Sequence, residues 1–96
     1  MPGSSTSFGR GMGKTIHSPE HQALRELLVA ARRKAGLTQH EVARQLGRPQ
    51  SFVAKVEGGE RRLDVIEFIA IARILRADPM RLVRKLLQAL PDRSEP

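Results

Sequence analysis

The chain has 96 residues, enough for one domain with a modest core. Its lack of Cys excludes disulfides and thiolate metal sites and fits a reducing, cytoplasmic setting. No apolar run reaches the roughly 18 residues that a membrane span needs, and the first residues lack the apolar core of a signal peptide. The net charge is +7, and residues 32–62 hold eight Arg or Lys against three acids, which favours binding to a polyanion over an ordinary solvated surface.

Two irregular ends are predicted to flank one domain. Residues 1–17 are rich in Gly and Ser and show no periodicity, so we expect a flexible arm that is weakly basic because of Arg10 and Lys14. Residues 91–96 form a short polar tail. The predicted domain therefore covers residues 18–90.

Helices one and two have clear start signals. Ser18 is a predicted N-cap before Pro19, and apolar residues then recur at helical spacing until Gly36. Thr38 and Glu41 form a Thr-x-x-Glu capping box at the start of helix two. The sequence therefore places a helix on each side of Gly36.

Helices three, four and five follow, and the last two are strongly apolar. Helix three is predicted over residues 49–57 and stops at two glycines, and helix four runs from Asp64 to about residue 75. Asp78 starts helix five, which ends before Pro91. No segment of the sequence shows the apolar–polar alternation of a β-strand, so the predicted fold class is all-α, a compact five-helix bundle.

Helices two and three are the pair that indicates the function of the chain. Only Gly47, Arg48 and the start of helix three at Pro49 separate them, and a connection this tight holds two helices at a steep angle, as in a helix-turn-helix. On a helical wheel, Val53 and Val56 share the face that needs burial. The opposite face is small and polar with one cation, so it can enter the major groove of DNA.

The run "GLTQHEVARQLGRPQSFVAKVEGGERR" resembles the helix-turn-helix of the XRE family, which includes the lambda- and 434-repressor-like proteins. The matching features are "GLTQ", the "EVARQLG" of helix two and the "QSFVAKVEGG" of helix three, and the resemblance covers about residues 22–83. It implies a five-helix bundle that binds operator DNA, usually as a dimer.

The resemblance also implies which residues contact DNA. Helix three supplies the base-reading positions, while the start of helix two, the turn and the loop after helix three supply phosphate contacts. The candidates in chain order are Gln39, Arg48, Gln50, Ser51, Phe52, Lys55, Arg61 and Arg62. Arg32 and Glu57 match a buried pair between helices one and three, so we interpret them as structural residues that orient helix three.

Three residues depart from the family pattern. Phe52 stands where a small polar residue is common, so it either touches a thymine methyl or is a half-buried anchor against helix two. Pro49 stands where a Ser or Thr cap is common, and its side chain cannot cap. Arg76 stands where helix four often ends with Gly, so the conformation of the turn before Asp78 is not predicted from the family pattern.

Helices four and five carry more apolar residues than one face of a small bundle can bury. We expect the core to take Val65, Phe68, Ala72 and Leu75 from helix four. The remainder predicts a homodimer through helix five, with a contribution from helix four. The predicted interface residues are Ile66, Ile69, Val83, Leu86, Leu87 and Leu90. The alternative is that helix five is a long core helix that also covers helix one.

The sequence thus predicts a sequence-specific regulator that binds double-stranded DNA, most simply a repressor whose dimer recognises an inverted repeat. The alternative is an antitoxin or other protein-binding regulator, in which the helix-five surface or residues 1–17 bind a toxin and DNA binding serves autoregulation. RNA binding is disfavoured because single-strand recognition needs aromatic stacking, and the chain has three Phe and no Trp or Tyr. No catalytic or cofactor site is predicted, and His17, His21 and His40 are expected to be solvated, not metal ligands.

Overall fold

The computed structural model describes residues 18–90, which form five helices. The helices are α1 (Pro19–Ala35), α2 (Gln39–Leu46), α3 (Gln50–Glu57), α4 (Val65–Ile74) and α5 (Pro79–Ala89). No strand occurs in this part of the chain, so the predicted all-α, five-helix fold is confirmed. The predicted basic arm at residues 1–17 and polar tail at residues 91–96 lie outside the described residues.

Four of the five helices begin at a capping side chain. Ser18 and Asp78 cap α1 and α5, and Thr38 and Asp64 begin α2 and α4 with complete capping boxes. The exception is α3, where Pro49 occupies the N-cap position and makes no side-chain hydrogen bond. Because a side-chain cap contributes about 1 kcal/mol, α3 depends more than its neighbours on tertiary packing.

Three helices end with the same turn. The backbone is left-handed at Gly36, Gly47 and Arg76, with φ of 74°, 73° and 58°. In each case the next N–H donates to the carbonyl five residues earlier, at 3.2, 3.0 and 2.9 Å. A side chain in this region costs about 1–2 kcal/mol, so the turn before Asp78 has the geometry of a glycine turn at an energetic cost.

The core is formed by buried residues from all five helices. Helix α2 packs against α3 and α4, and α1 packs against α3 and α5. The buried apolar residues are Leu28, Val42, Ala43, Phe52, Val53, Val56, Ile71, Ala72, Leu75 and Leu82. Three of them belong to α3, and burying side chains of this size stabilises a fold by about 1.5–3 kcal/mol each. The short α3 is therefore fixed in orientation by its buried face.

Two sequence expectations about burial are wrong. Val65 was placed in the core but is 70% exposed. It is the first residue of α4, and helical side chains lean toward the N-terminus, so this one projects beyond the end of its helix. His21 was expected to be solvated but is 8% exposed, because it lies in the first turn of α1 on a face that packs inward.

Candidate DNA interface

The outward face of α3 is formed by three side chains without partners. Gln50, Ser51 and Lys55 are exposed, and none of their side chains forms a hydrogen bond or ion pair within residues 18–90. On the opposite face, Val53 and Val56 are 4% and 3% exposed. A helix with this division presents amide, hydroxyl and ammonium groups to a ligand while its valines hold it in place.

An ion pair between α1 and α3 fixes the direction of this face. Arg32 Nε donates to Glu57 Oε2 at 2.7 Å, and Arg32 Nη2 donates to Glu57 Oε1 at 3.0 Å. The two side chains are 14% and 11% exposed. A two-point contact between a planar guanidinium and a carboxylate restrains rotation as well as distance. The structure therefore places the predicted pair in contact at the C-terminal end of α3.

Gln39 and Arg25 extend this contact. The Nε2 atom of Gln39 donates to Glu57 Oε1 at 2.8 Å, so the residue predicted to contact a phosphate also supports the ion pair. Arg25 Nη1 donates to the backbone carbonyl of Glu57 at 2.9 Å. Arg25 was not among the residues predicted from the sequence. The sequence feature that points to Arg25 is its seven-residue spacing from Arg32, which puts both side chains on one face of α1.

The loop after α3 is held closely against Arg25. Gly59 is buried and has a φ of 85°, and a Cβ atom there would lie 3.1 Å from Arg25 Cζ. The backbone conformation therefore favours glycine at this position, and a larger residue would also push the Arg25 guanidinium aside. The Arg25 Nε is buried without a hydrogen-bond partner among the described residues. Arg61 and Arg62 follow this packed part of the loop directly.

Phe52 is a buried platform for two arginines. It is 7% exposed, and the Cζ atoms of Arg48 and Arg61 lie 4.4 and 4.6 Å from its ring centroid. Guanidinium groups at this distance are attracted by the ring quadrupole. Of the two interpretations of Phe52, this burial favours the anchor over contact with a thymine methyl.

Glu67 of α4 holds the same two arginines. Its Oε2 atom accepts from Arg48 Nη2 at 3.2 Å and from Arg61 Nη2 at 3.0 Å, and its Oε1 accepts from Arg61 Nη1 at 3.2 Å. The backbone N–H of Asp64, and then Arg61 and Arg48, keep the pKa of Glu67 below its ordinary value. The carboxylate is therefore ionised at neutral pH and restrains both guanidinium groups.

The two arginines nevertheless keep contact with solvent. The side chains of Arg48 and Arg61 are 43% and 40% exposed, whereas that of Glu67 is 15% exposed. Arg61 also donates to the backbone carbonyl of Arg62, which is itself exposed. Since a guanidinium has five N–H donors, each arginine has donors left for a further anion. This role of Glu67 was not predicted from the sequence, because Arg48 is 19 residues away.

Comparison with known proteins agrees with this geometry. Residues 23–88 match the family described as a helix-turn-helix domain. A solved structure, the XRE-family like protein from Pseudomonas syringae pv. tomato str. DC3000, is 55% identical, with a TM-score of 0.74 over 81% of this chain and 95% of that chain. The chain belongs to the XRE family. A search of curated proteins gave no significant match.

Membership of the XRE family confirms the resemblance found in the sequence and makes the chain a helix-turn-helix DNA-binding regulator. Such proteins typically act by binding and not by catalysis. Within residues 18–90, no group of three or more His, Cys, Asp or Glu is arranged to hold a metal ion. No helix in this part of the chain is long and apolar enough to cross a lipid bilayer.

An apolar stripe on α5 of this XRE-family protein is not covered by any part of residues 18–90. Met80, Val83 and Leu87 are 66%, 38% and 66% exposed, and their spacing of three and four residues puts them on one face. Of the other residues predicted for a dimer interface, Ile66 is 74% exposed, whereas Ile69, Leu86 and Leu90 are half-buried. Met80 was not among the residues predicted for the interface.

Proposed function

We propose that this XRE-family protein is a homodimeric transcriptional repressor that inserts α3 into the major groove of its operator. The observation that carries the proposal is the exposed, unpartnered face formed by Gln50, Ser51 and Lys55 on a helix whose other face is buried. A free polar face on a rigidly held helix can form hydrogen bonds to base edges without first breaking bonds within the protein.

The three side chains of this face supply complementary chemistry. A glutamine amide can form two hydrogen bonds with adenine, a lysine ammonium can donate to the acceptors of guanine, and a serine hydroxyl can bond to either. Each well-formed contact contributes about 1–3 kcal/mol of discrimination against the wrong base. Gln50 and Lys55 are therefore the residues that we assign to sequence preference, with Ser51 adding to it.

Phosphate contacts are assigned to the residues that flank α3. Arg48, Arg61 and Arg62 are proposed to neutralise backbone phosphates, and Gln39 to bond a phosphate through the amide atoms that Glu57 does not use. In Arg48 and Arg61 the contacts with Phe52 and Glu67 restrain the side chains before DNA arrives, which lowers the entropy lost on binding. Each neutralised phosphate steepens the dependence of affinity on salt.

The proposed dimer rests on the exposed apolar stripe of α5 formed by Met80, Val83 and Leu87. The stripe on α5 would bury its apolar side chains against a second copy, and two recognition helices would then lie in successive major grooves about 34–36 Å apart. Such a dimer matches an inverted repeat. Because it occupies both half-sites at once, it excludes other proteins from the operator, which is the simplest route to repression.

Base preference should depend on Gln50 and Lys55 and not on the loop arginines. In a selection of bound sequences from random duplex DNA, we expect Gln50→Ala and Lys55→Ala each to relax the preference at one position of each half-site. The corresponding loss of discrimination is about 5- to 150-fold, equivalent to about 1–3 kcal/mol.

Arg61→Ala is the matched control for this selection. It should weaken binding to all sequences and lower the salt dependence by about one phosphate, while the selected sequence stays the same. If the two α3 variants fold normally and select the same sequence as the unmodified protein, the assignment of base reading to this face is wrong.

The dimer should dissociate when the α5 stripe is charged. We expect the unmodified protein to sediment as a dimer at micromolar concentration and Leu87→Glu to sediment as a monomer, because the carboxylate would be buried without a partner. The control is Gln88→Glu, which places the same charge at an exposed neighbouring position. A monomeric unmodified protein at this concentration would contradict the dimer.

A further inference from the structure

A groove between α1 and α5 lies apart from the proposed DNA interface. Its volume is about 590 Å³, and it is lined by the second half of α1, the α4–α5 turn and the first half of α5. Leu75 and Leu82 line it as buried residues, and Leu27 and Ala31 as half-buried ones. No residue of α3 lines the groove, so its chemistry is independent of base reading.

Four cations surround this apolar surface. Lys34, Arg76, Arg81 and Lys85 line the groove, all are exposed, and none forms an ion pair or side-chain hydrogen bond within residues 18–90. Asp78 is the single acid that lines the groove, and its carboxylate already caps α5. The groove thus carries an excess of three positive charges that nothing in the described part of the chain neutralises.

The conformation of Arg76 is a separate indication that the groove has a role. The turns after α1 and α2 have glycine in the left-handed position, whereas the equivalent turn after α4 has Arg76 with a φ of 58°. A strained residue is commonly found where its side chain has a function that offsets the strain. Here the strained backbone keeps a guanidinium on the groove, where glycine would leave only two α5 cations and Lys34.

We propose that this groove binds an acidic, amphipathic helical segment of a partner protein. The apolar lining fits the apolar face of such a helix, and the four cations fit acidic residues along its edges. The groove volume of about 590 Å³ is more than a single carboxylate or phosphate fills. Duplex DNA presents phosphates without an apolar face, so it would leave the leucines in contact with water.

The proposal can be tested with a synthetic peptide of about four helical turns that has leucines on one face and glutamates beside them. We expect the fluorescently labelled peptide to bind the full chain, and a version with glutamine in place of glutamate to bind at least about tenfold more weakly. Equal binding of the two peptides would overturn the proposal.

Charge reversal on α5 locates the binding surface. Arg81→Glu should weaken the acidic peptide about tenfold, whereas Arg84→Glu, one turn further along and not part of the groove, should change its Kd less than about twofold. Arg76→Gly should also weaken the peptide while retaining the fold, because glycine suits the backbone there. If Arg81→Glu and Arg84→Glu weaken the peptide equally, the groove is not the site.

Three other occupants give distinct results, each of which overturns the proposal. If Asp92→Asn with Glu95→Gln shifts the methyl NMR signals of Ala31 and Leu82 without peptide, the chain's own tail fills the groove. If Arg81→Glu lowers the affinity for duplex DNA more than Arg84→Glu does, the groove contacts DNA. If Arg81→Glu alone changes the sedimentation of the protein, the occupant is a second copy. Failure of DNA binding by the unmodified protein leaves the peptide result unaffected.

Discussion

Replacing Glu57 with alanine should lower the free energy of unfolding by about 3–5 kcal/mol. The substitution leaves the Arg32 guanidinium largely buried without its carboxylate, and it also removes the acceptor for the Gln39 amide. A charge without its counterion at this depth costs more than the lost attraction, because little water reaches the guanidinium and the Leu37 carbonyl, which accepts from Arg32 Nη1 at 2.9 Å, satisfies only one of its donors. Urea denaturation followed by circular dichroism measures the change.

Glu60→Ala is the matched control for this experiment. Glu60 is an exposed residue of the same type in the loop after α3, so its removal should change the stability by less than about 0.5 kcal/mol. Replacing both Arg32 and Glu57 with leucine should cost less than the Glu57→Ala change, because no charge is then left unpaired. A loss below about 1 kcal/mol for Glu57→Ala would show that the pair does not hold α3.

Replacing Phe52 with alanine should destabilise the protein by about 3–5 kcal/mol, an effect as large as that of breaking the ion pair. The ring is 7% exposed, and its removal leaves a cavity between the core and two guanidinium groups. If Phe52 were instead an exposed reader of a thymine methyl, its truncation would leave stability almost unchanged. Thermal or urea denaturation therefore distinguishes the two interpretations.

Phe52→Leu separates the packing of Phe52 from its effect on the arginines. Leucine keeps the site apolar, so we expect a stability loss below about 1.5 kcal/mol. It removes both cation–π contacts, which contribute about 0.5–1 kcal/mol each at partly exposed sites, and should weaken DNA binding by up to about tenfold for all sequences. A changed base preference in this variant would return Phe52 to the set of base-reading residues.

The helices of this protein were predictable because their signals are local. Caps at Ser18, Thr38 and Asp64 mark starts, and glycines at 36 and 47 mark ends, as the structure has them. The turn at Arg76 shows the limit of such signals. Its conformation is that of a glycine end, but the residue gives no local reason for it, so the geometry became known only from the structure.

The candidate site was only partly predictable, because its contacts join residues that are distant in sequence. The outward position of Gln50 and Lys55 follows from helical periodicity within α3. The cluster of Phe52 with Glu67 depends on how α4 packs beside the helix-turn-helix, and periodicity within one helix does not specify packing between helices. The spacing of Arg25 from Arg32 indicates a shared face of α1, but it does not reveal that Arg25 contacts a carbonyl 32 residues away.

The amino-acid sequence alone determined the fold class, the helix-turn-helix and the face of α3 that stays free, because each depends on spacing within a few residues. Only the tertiary structure decided that Phe52 is buried, that Glu67 restrains Arg48 and Arg61, and that Val65 lies outside the core. These outcomes depend on where separate helices come to rest against one another, and many weak contacts between residues distant in the chain determine that arrangement.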